Sequence, residues 1–385
     1  MQKKTKESGI IRTDLQTGKG NRILWLDVAR TMAILSVTFN HALSRSFDTH
    51  IGTLAEYQSI PKMVSLIKAI LYVFSRGGVP WFLMITAVLL LPRDYTGDRS
   101  ISVFLKRNWL PLFITSEIWL AIIFFYLALF AKQTEFSGIG EAAAAFVQNQ
   151  LFINQTTFAS MWYLPMILTV YLMIPVFSVS LKMINSAYFR LLLIAAVLVG
   201  MIIPNINTIL SGFGVGYQME SAVTITDLFS IYVIYLLCGY FIGEGALSRM
   251  KDHTVLFWAT AFFILTSLFQ YWTYSTQIDY FVRYEDIGIL LFSVFMFEYI
   301  RRKGNGIKNG KKLFTYISKI AFAIYFVHVS IMYALNTMIR YLPVEINYLP
   351  KFFFLEITAV FGAIVFITLL ARIEVFRKYL FLIKD

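Results

Sequence analysis

The sequence predicts an all-α polytopic membrane protein with about ten transmembrane helices and both termini in the cytoplasm. Three observations predict this fold class. Of the 385 residues, 58% are hydrophobic and 15% are charged, and the mean hydropathy is +0.67, so too few polar residues are present to cover a soluble protein. Apolar runs of about 20 residues, the length of a membrane-spanning helix, recur along the chain. Lys and Arg are also distributed unevenly between these runs.

Ten apolar segments predict the individual helices. Each is long enough to cross most or all of the hydrocarbon core, and each is followed by a polar or charged segment. The segments do not alternate apolar and polar residues as the strands of a membrane barrel do. The predicted helices are 23–43, 64–91, 109–131, 161–180, 188–204, 226–243, 254–275, 283–300, 314–339 and 351–372.

The basic residues between these helices predict the orientation. Segments on one side of the membrane carry 24 Lys and Arg, whereas the alternate segments carry six. Because cytoplasmic loops are enriched in Lys and Arg, both termini are predicted to be cytoplasmic. We therefore expect a basic tail at 1–22, one ten-helix membrane domain at 23–372 and a second cytoplasmic tail at 373–385.

Several classes of function are disfavoured. The net charge of +12 is accounted for by Lys and Arg in the loops between helices. We therefore expect the chain to contact membrane lipid and not nucleic acid. Cys238 is the only cysteine, and the four histidines show no spacing typical of metal ligands, so no metal site is expected. No glycine-rich loop precedes a helix with a lysine, which disfavours an ATP-driven motor.

The first predicted helix, WLDVARTMAILSVTFNHA (25–42), carries Asp27, Arg30 and His41. At about 100° and 1.5 Å per residue, Arg30 and His41 differ by about 20° in direction and about 16 Å in height. All three side chains therefore lie on one stripe, which must face the protein interior or a water-filled cavity. For Asp27 and Arg30 alone, an ion pair that fixes helix packing is the alternative interpretation.

The second predicted helix carries Arg76 in YVFSRGGVPWFLM (72–84). Gly77, Gly78 and Pro80 follow at once and predict a break in the helix near the middle of the membrane. Irregular backbone at that depth occurs only inside protein or beside a cavity. Arg76 is therefore expected either to bind an anion or to form an internal charge pair with Glu117 of the third helix.

The ninth predicted helix contains ISKIAFAIYFVH (317–328) and places His328 in its outer half. A single histidine in a membrane helix is often a packing or interface residue, and that alternative stays open for His328. His328 and His41 are nevertheless predicted to lie at similar depths, near the same face of the membrane.

Five segments together resemble the membrane acyltransferase 3 family, in particular its bacterial surface-polysaccharide O-acetyltransferase branch. The first segment resembles the opening motif of the family, in which a basic residue and a histidine are separated by ten positions, here Arg30 and His41. Thr86 stands where the second motif usually has serine. The other four are SRGGVPWFLMITAVLLL (75–91), MWYLPMILTVYLMIP (161–175), YLLCGYFIGE (235–244) and ISKIAFAIYFVH (317–328).

The resemblance implies an enzyme of the bacterial plasma membrane. Such an enzyme takes an acyl group from cytoplasmic acyl-CoA, with acetyl-CoA as the expected donor, and delivers it to a surface polysaccharide or its lipid-linked precursor. A sugar hydroxyl needs a general base that works near neutral pH, a role that suits histidine. We therefore expect His41 to be the base or a transient acyl acceptor, and Arg30 to hold the acyl-CoA or position the reacting groups.

The same resemblance suggests further site residues. CoA is a polyanion, so its phosphates are expected near cytoplasmic cations. The family often has two arginines, three positions apart, before the third helix, but here Phe104 occupies the first of those positions and Lys106 is the candidate to compensate. The expected residues are Arg76, Lys106 and Arg107 for CoA, Trp162, Tyr163 and His328 for the acceptor, and Asp27 and Glu117 as structural support.

Two other functions are compatible with buried charges and a broken helix. One is a transporter or flippase for an anionic or glycan substrate, although no internal repeat typical of transporters is present. The other is a membrane scaffold in which the charges serve only packing. Loss of acyl transfer in a folded His41→Ala protein would separate the enzyme from both alternatives.

Overall fold

The computed structural model describes residues 22–47, 60–130, 136–153, 161–216, 218–219, 230–276, 278, 280–339, 341, 343 and 346–383. The predicted tail at 1–22, except for its last residue, therefore lies outside the described residues. Helices make up most of the described chain, and no strand occurs in it. The α-helices are α1 (Leu24–Ser46), α2 (Lys62–Ser75), α3 (Gly78–Leu90), α4 (Asp98–Phe104), α5 (Leu110–Phe125), α6 (Ile139–Gln150), α7 (Tyr163–Met183), α8 (Ser186–Val197), α9 (Ile203–Gly212), α10 (Ile231–Gly243), α11 (Asp252–Ser275), α12 (Ile287–Lys303), α13 (Lys311–Ile339) and α14 (Tyr348–Leu370).

Helical structure is present at each of the ten predicted positions. Three of these positions combine shorter pieces: α2 with α3, α4 with α5 through a π-helical turn at Leu105–Trp109, and α8 with α9 through another at Leu198–Ile202. Seven helices in the described part of the chain are long and apolar enough to cross a membrane. The remaining three, α1, α10 and α12, are less apolar or shorter, so ten crossings with both termini in the cytoplasm stay a prediction.

Helix α1 lies at the centre of the bundle. It packs against α2, α3, α12, α13 and α14. Its polar residues Asp27, Thr31, Ser36 and Thr38 are buried, and each has a hydrogen-bond partner. A helix surrounded by five others contacts little lipid, which explains how the least apolar of the predicted spans can lie within the bundle.

The two ends of the bundle differ in chemistry. The basic end is where the described chain begins at Arg22, and here the buried carboxylate of Glu298 pairs with Arg301 and Arg302. Arg302 also pairs with Asp252 at the start of α11. We call the opposite end, where α1 and α13 carry their histidines, the histidine end. In the predicted orientation the basic end is cytoplasmic.

Candidate active site

A cavity of about 430 Å³ lies beside α1 and extends along it from Arg30 to His41. These two residues are eleven apart in a continuous helix, which corresponds to about 16 Å along its axis. The cavity therefore connects the basic end of the bundle with the histidine end. Its polar and aromatic lining includes Arg30, Asn40, His41, Ser75, Thr86, Arg93, Arg107, Asn108, Trp162, Tyr163, Tyr171, Tyr284, Ser318, Lys319 and Tyr325.

The predicted break in the second span forms one wall of the cavity. Helix α2 ends at Ser75 and α3 begins at Gly78. The Ser36 hydroxyl of α1 donates to the carbonyl oxygens of Phe74 and Ser75, at 2.9 and 3.0 Å. The Phe74 carbonyl also accepts a hydrogen bond from the Gly77 N–H at 3.1 Å. The break therefore brings Ser75 to the cavity without leaving these two carbonyls unpaired.

Gly78 allows α3 to approach α1 closely. A Cβ atom at this position would lie 2.8 Å from the carbonyl oxygen of Ala33 and 2.8 Å from a methyl group of Val37. Both contacts are shorter than real Cβ atoms show, so a larger residue would force the two helices apart. Gly78 thus fixes the distance between the two cavity walls formed by α1 and α3.

Arg76 is buried at the break and contacts aromatic side chains. Its guanidinium donates a hydrogen bond to the Tyr72 hydroxyl and lies 4.4 Å from the centre of the Tyr72 ring and 5.5 Å from that of Tyr284. Its Nε atom has no hydrogen-bond partner in the described residues. Because Tyr284 lines the cavity, Arg76 lies behind that lining at the histidine end.

The expected charge pair between Arg76 and Glu117 does not form among the described ion pairs. One carboxylate oxygen of Glu117 is buried without a hydrogen-bond partner in the part of the chain that the structure describes. The Glu117 carbonyl accepts a hydrogen bond from the Gln150 side chain. The anion site at Arg76 and the structural role of Glu117 both stay predictions.

The two histidines meet at the histidine end. The centres of the His41 and His328 rings are 5.2 Å apart, and the ring planes are inclined by 54°. His41 lines the cavity, whereas His328 is fully buried behind it. The sequence predicted similar depths for these two residues. In the structure their rings are adjacent across the interface of α1 and α13.

Several aromatic side chains line the same cavity as His41. Trp162 lies 5.8 Å from Tyr284, measured between ring centres, and 6.2 Å from Tyr163. Tyr163 in turn lies 5.6 Å from Tyr325. Trp162 and Tyr163, which the sequence suggested for acceptor binding, thus line the same cavity as His41, and aromatic faces of this kind bind sugars and other planar or partly apolar groups.

Arg30 lies at the basic end of the cavity and is held by two polar neighbours. It is 3.7 Å from the Asp27 carboxylate and 3.5 Å from the Ser318 hydroxyl. About 29% of its side chain remains exposed. The guanidinium is therefore oriented by α1 and α13 while donors remain available to a ligand.

The main partner of Asp27 is Arg22 and not Arg30. The Arg22 guanidinium donates two hydrogen bonds to the Asp27 carboxylate, at 2.7 and 3.1 Å. The Ser318 hydroxyl donates a third, at 2.7 Å. The carboxylate is buried, so Asp27 links the start of α1 to α13 and orients Ser318 beside Arg30, which agrees with a structural role.

Three basic side chains, Arg93, Arg107 and Lys319, line the basic end of the cavity. Lys106, on the same π-helical turn as Arg107, is exposed and does not line it. Phe104, at the position where the family often has arginine, is buried. Its ring stacks on that of Tyr171.

Tyr95 completes this packing just outside the membrane-spanning segments. Its ring lies 5.2 Å from that of Phe104, measured between ring centres. Burial raises the pKa of the Tyr95 phenol to about 12. The hydroxyl therefore remains protonated at neutral pH and donates a hydrogen bond to the Leu90 carbonyl at 3.2 Å. This contact ties the loop after α3 to the basic end of the cavity.

The segment after α14 closes part of the basic end. A π-helical turn at Phe376–Leu380 is held by the Trp119 indole, which donates a hydrogen bond to the Leu380 carbonyl at 2.8 Å. Phe381 and Leu382 follow this turn and line the cavity. The sequence indicated only a cytoplasmic tail here, because the apolar residues after α14 are interrupted by charged ones and form no run long enough to span a membrane.

Sequence reasoning missed several cavity residues besides these two. Lys319 is nine residues before His328, so helical projection places the two on opposite sides of α13. The long Lys319 side chain nevertheless reaches the cavity. Tyr284 precedes α12, and a sequence pattern does not indicate which cavity such a loop residue meets. In the described residues, no group of three or more His, Cys, Asp or Glu side chains is placed to bind a metal ion.

A sequence model of a protein family, described as an acyltransferase domain, matches residues 23–371. The matched region begins just before α1 and ends just after α14. It therefore contains α1, which carries Arg30 and His41, and α13, which carries His328. Phe381 and Leu382 lie outside it. No curated protein matches the chain, and no solved structure matches it.

Proposed function

The chain belongs to the acyltransferase 3 family and is a multi-pass membrane acyltransferase, and from this we propose that it moves an acyl group from cytoplasmic acyl-CoA to a glycan hydroxyl. The acceptor is a cell-surface polysaccharide or its lipid-linked precursor, and the site of action is the plasma membrane of a bacterium. Acetyl is the first acyl group to test. The single observation that carries the proposal is the cavity that joins three basic side chains to His41.

The basic end of the cavity suits the donor. CoA carries several phosphate charges, and Arg93, Arg107 and Lys319 supply cations at this end. Apolar side chains, among them Leu89 and Leu90, line the cavity beyond them and suit the less charged arm that carries the thioester. Lys106 and Arg76 are weaker candidates for CoA contacts, because neither lines the cavity.

The histidine end suits the acceptor. His41 and Asn40 supply polar groups, and Trp162, Tyr163 and Tyr284 supply aromatic faces. A sugar ring has apolar faces that stack on aromatic rings and hydroxyls that hydrogen-bond to polar side chains. An acceptor at this end would present a hydroxyl to His41 while the donor reaches His41 from the other end.

The proposed reaction uses His41 as a general base. One ring nitrogen removes the hydroxyl proton of the acceptor as its oxygen attacks the thioester carbonyl carbon. The new C–O bond forms, the C–S bond breaks, and the proton on His41 passes to the departing thiolate of CoA. If His41 first accepts the acyl group itself, a C–N bond forms as the C–S bond breaks and the CoA thiolate leaves. The acceptor oxygen then attacks the acyl group, the C–O bond forms, the C–N bond breaks, and the hydroxyl proton passes to the departing His41 nitrogen.

Arg30 is the candidate to position the donor. Its guanidinium is held by Asp27 and Ser318 and retains exposed donors. Since Arg30 is about 16 Å from His41 along α1, it is too far to stabilise charge at the reacting carbonyl when the thioester is beside His41. Its proposed contact is with the arm of the acyl-CoA that lies between the basic end and the thioester.

The test is mass spectrometry of the surface glycan from cells that carry the wild-type chain, the His41→Ala variant or no copy. We expect ester-linked acyl groups only with the wild type, because loss of a general base lowers the rate by about 10²- to 10⁴-fold. His253→Gln is the matched control, since His253 is exposed at the start of α11 and does not line the cavity.

Purified protein provides the second arm of this test. Wild-type protein should bind and slowly hydrolyse acetyl-CoA, whereas the His41→Ala protein should bind acetyl-CoA without hydrolysing it. A His41→Ala protein that acylates its glycan at the wild-type rate would contradict the site assignment. A wild-type protein that neither binds nor hydrolyses any acyl-CoA would contradict the proposed donor.

A further inference from the structure

His328 is the buried group that the proposed reaction does not use. It is fully buried, and its Nδ1 atom lies 2.7 Å from the carbonyl oxygen of Ile324. A carbonyl oxygen only accepts hydrogen bonds, so Nδ1 carries the proton. In the neutral ring, Nε2 is then an acceptor with a free lone pair.

The Nε2 atom of His328 has no hydrogen-bond partner among the described residues. A buried acceptor without a partner costs about 1–3 kcal/mol, so such a group is expected to acquire a donor in some state of the protein. The ring of His41 is adjacent, with its centre 5.2 Å away. At this separation of the ring centres, rotation of the His41 ring can turn one of its nitrogen atoms towards Nε2, and a hydrogen bond requires a distance of about 3 Å between the two nitrogen atoms.

Within the described part of the chain, His41 has no carboxylate partner of the kind that usually orients a histidine base. In many enzymes a carboxylate accepts the hydrogen bond of the second ring nitrogen. Among the described residues no carboxylate is bonded to His41. The buried Glu356 of α14 accepts a hydrogen bond from Thr38 through one oxygen, at 2.6 Å, and its other oxygen has no described partner, but the ring packed against His41 is that of His328. His328 is therefore the acceptor best placed for this task.

We propose that His328 is a positioning residue for His41, whose ring N–H it accepts at Nε2. This inference rests on the proposed function of His41 as the base. The hydrogen bond fixes which His41 nitrogen carries the proton, so the other nitrogen faces the cavity and removes the proton of the acceptor. His328 keeps its own proton on Nδ1 throughout and takes no proton from the reaction.

The same contact supports the charged state of His41. When His41 gains the hydroxyl proton it becomes a cation inside the bundle, and both of its nitrogen atoms then carry protons. One N–H still faces the cavity and passes the proton to the thiolate of CoA. The other donates to His328 Nε2, a charge-assisted hydrogen bond that is stronger than one between neutral groups.

This role differs from the acceptor binding that the sequence suggested for His328. His328 does not line the cavity, and His41 lies between the two. A residue that binds the acceptor should affect the KM for the acceptor. A residue that orients the base should affect kcat and leave the affinity for acyl-CoA unchanged.

Three variants separate these roles. His328→Gln retains a side-chain oxygen that accepts a hydrogen bond, whereas His328→Met removes the acceptor and keeps an unbranched side chain of similar length. Met332→Leu is the control for repacking, because Met332 is fully buried one turn further along α13. Folding is checked for each protein by thermal unfolding in detergent.

The first readout is acetyl-CoA hydrolysis and acyl transfer by these proteins. We expect kcat to fall about 10- to 100-fold for His328→Met, as for other residues that orient a ligand or base through a hydrogen bond, with the KM for acetyl-CoA and the KM for the acceptor both unchanged. His328→Gln should recover most of the loss, and Met332→Leu should match the wild type. A folded His328→Met protein with wild-type kcat would overturn the inference while leaving the proposed function intact.

The second readout does not require activity. In protein labelled with ¹⁵N-histidine, the ring nitrogen shifts report which nitrogen carries the proton, and His41→Gln and His328→Gln assign the two signals. We expect one dominant tautomer of His41 in the wild type and a mixture in His328→Met. Identical His41 shifts in the two proteins would contradict the hydrogen bond, and this result does not depend on whether His41 is the base.

Discussion

Asp27, Arg30 and His41 share one stripe of α1, but each meets different chemistry. Asp27 is neutralised by Arg22 and by the Ser318 hydroxyl. Arg30 retains exposed surface on the cavity, and His41 lies beside a second histidine. Charges inside a membrane protein are costly unless they are paired or in contact with a cavity. Asp27 is stabilised by pairing, and Arg30 by contact with both Asp27 and the cavity.

Among single residues, Arg30 gives a testable prediction. Arg30→Met should lower kcat/KM for acetyl-CoA about 10- to 100-fold, because a hydrogen bond to a charged group contributes about 1.5–3 kcal/mol. Arg30→Lys should have an intermediate effect, since lysine keeps the charge but loses the planar fork of donors. The measurement is steady-state hydrolysis of acetyl-CoA by purified protein.

Arg249→Met is the matched control for loss of a positive charge. Arg249 is exposed, follows α10 and does not line the cavity, so this variant should retain the wild-type kcat/KM. Equal values for Arg30→Met and wild type would remove Arg30 from the donor site.

Cavity residues could be predicted from the sequence when they share one helix. The spacing of Arg30 and His41 within one continuous helix was sufficient to place both on the same cavity. Lys319 was missed because helical projection gives only the direction in which a side chain leaves the helix. It neglects the length of the lysine side chain, whose four methylene groups allow the ammonium to reach the cavity. Contacts between distant segments, such as Tyr284 beside Arg76, carry no periodic signal.

At the scale of elements, the break between α2 and α3 shapes the cavity. Ser36 satisfies two of the carbonyl oxygens at the break, and Gly78 allows α3 to lie against α1. Glycine and proline next to a buried arginine made this break predictable from the sequence. The π-helical turns at Leu105–Trp109 and Leu198–Ile202 were not predicted, because one extra residue in a helical turn leaves no mark in composition.

Gly78 provides the prediction at this scale. Gly78→Ala should lower the free energy of unfolding by about 1–3 kcal/mol, because its Cβ would overlap the Ala33 carbonyl and the backbone must shift. Thermal unfolding in detergent measures the change. Gly97→Ala is the control, since a Cβ there meets nothing within 4 Å. Equal stability of the two variants would show that α1 and α3 do not pack as closely as described.

At the scale of the whole molecule, the bundle places cations at one end of a cavity and two histidines at the other. Composition and the apolar runs were sufficient to locate a helix at each of the ten positions, since hydrophobic length is a strong signal in membrane proteins. They could not reveal that α1 is enclosed by five helices. Its low hydropathy follows from that position, and only the packed structure explains it.

The two ends of the cavity predict from which face of the membrane each substrate approaches. In the proposed reaction, donor and acceptor approach His41 from opposite ends, so the predicted orientation would place acyl-CoA at the cytoplasmic face and the glycan at the outer face. The chain segments that would set this direction are the basic loops around Arg93 and Arg107 and the start of α13. A protein with the reverse orientation would need its donor outside the cell, where acyl-CoA is not supplied.

The central claim is tested most directly by acyl transfer across a sealed membrane. Protein is reconstituted into vesicles, its orientation is determined by protease cleavage of the N-terminal tail, and ¹⁴C-acetyl-CoA is added only on the face with that tail. Surface glycan from cells that lack the chain is placed only in the opposite compartment. We predict labelled glycan with wild-type protein and none with His41→Ala. Label on glycan only when donor and acceptor share one compartment would contradict a cavity that connects the two faces.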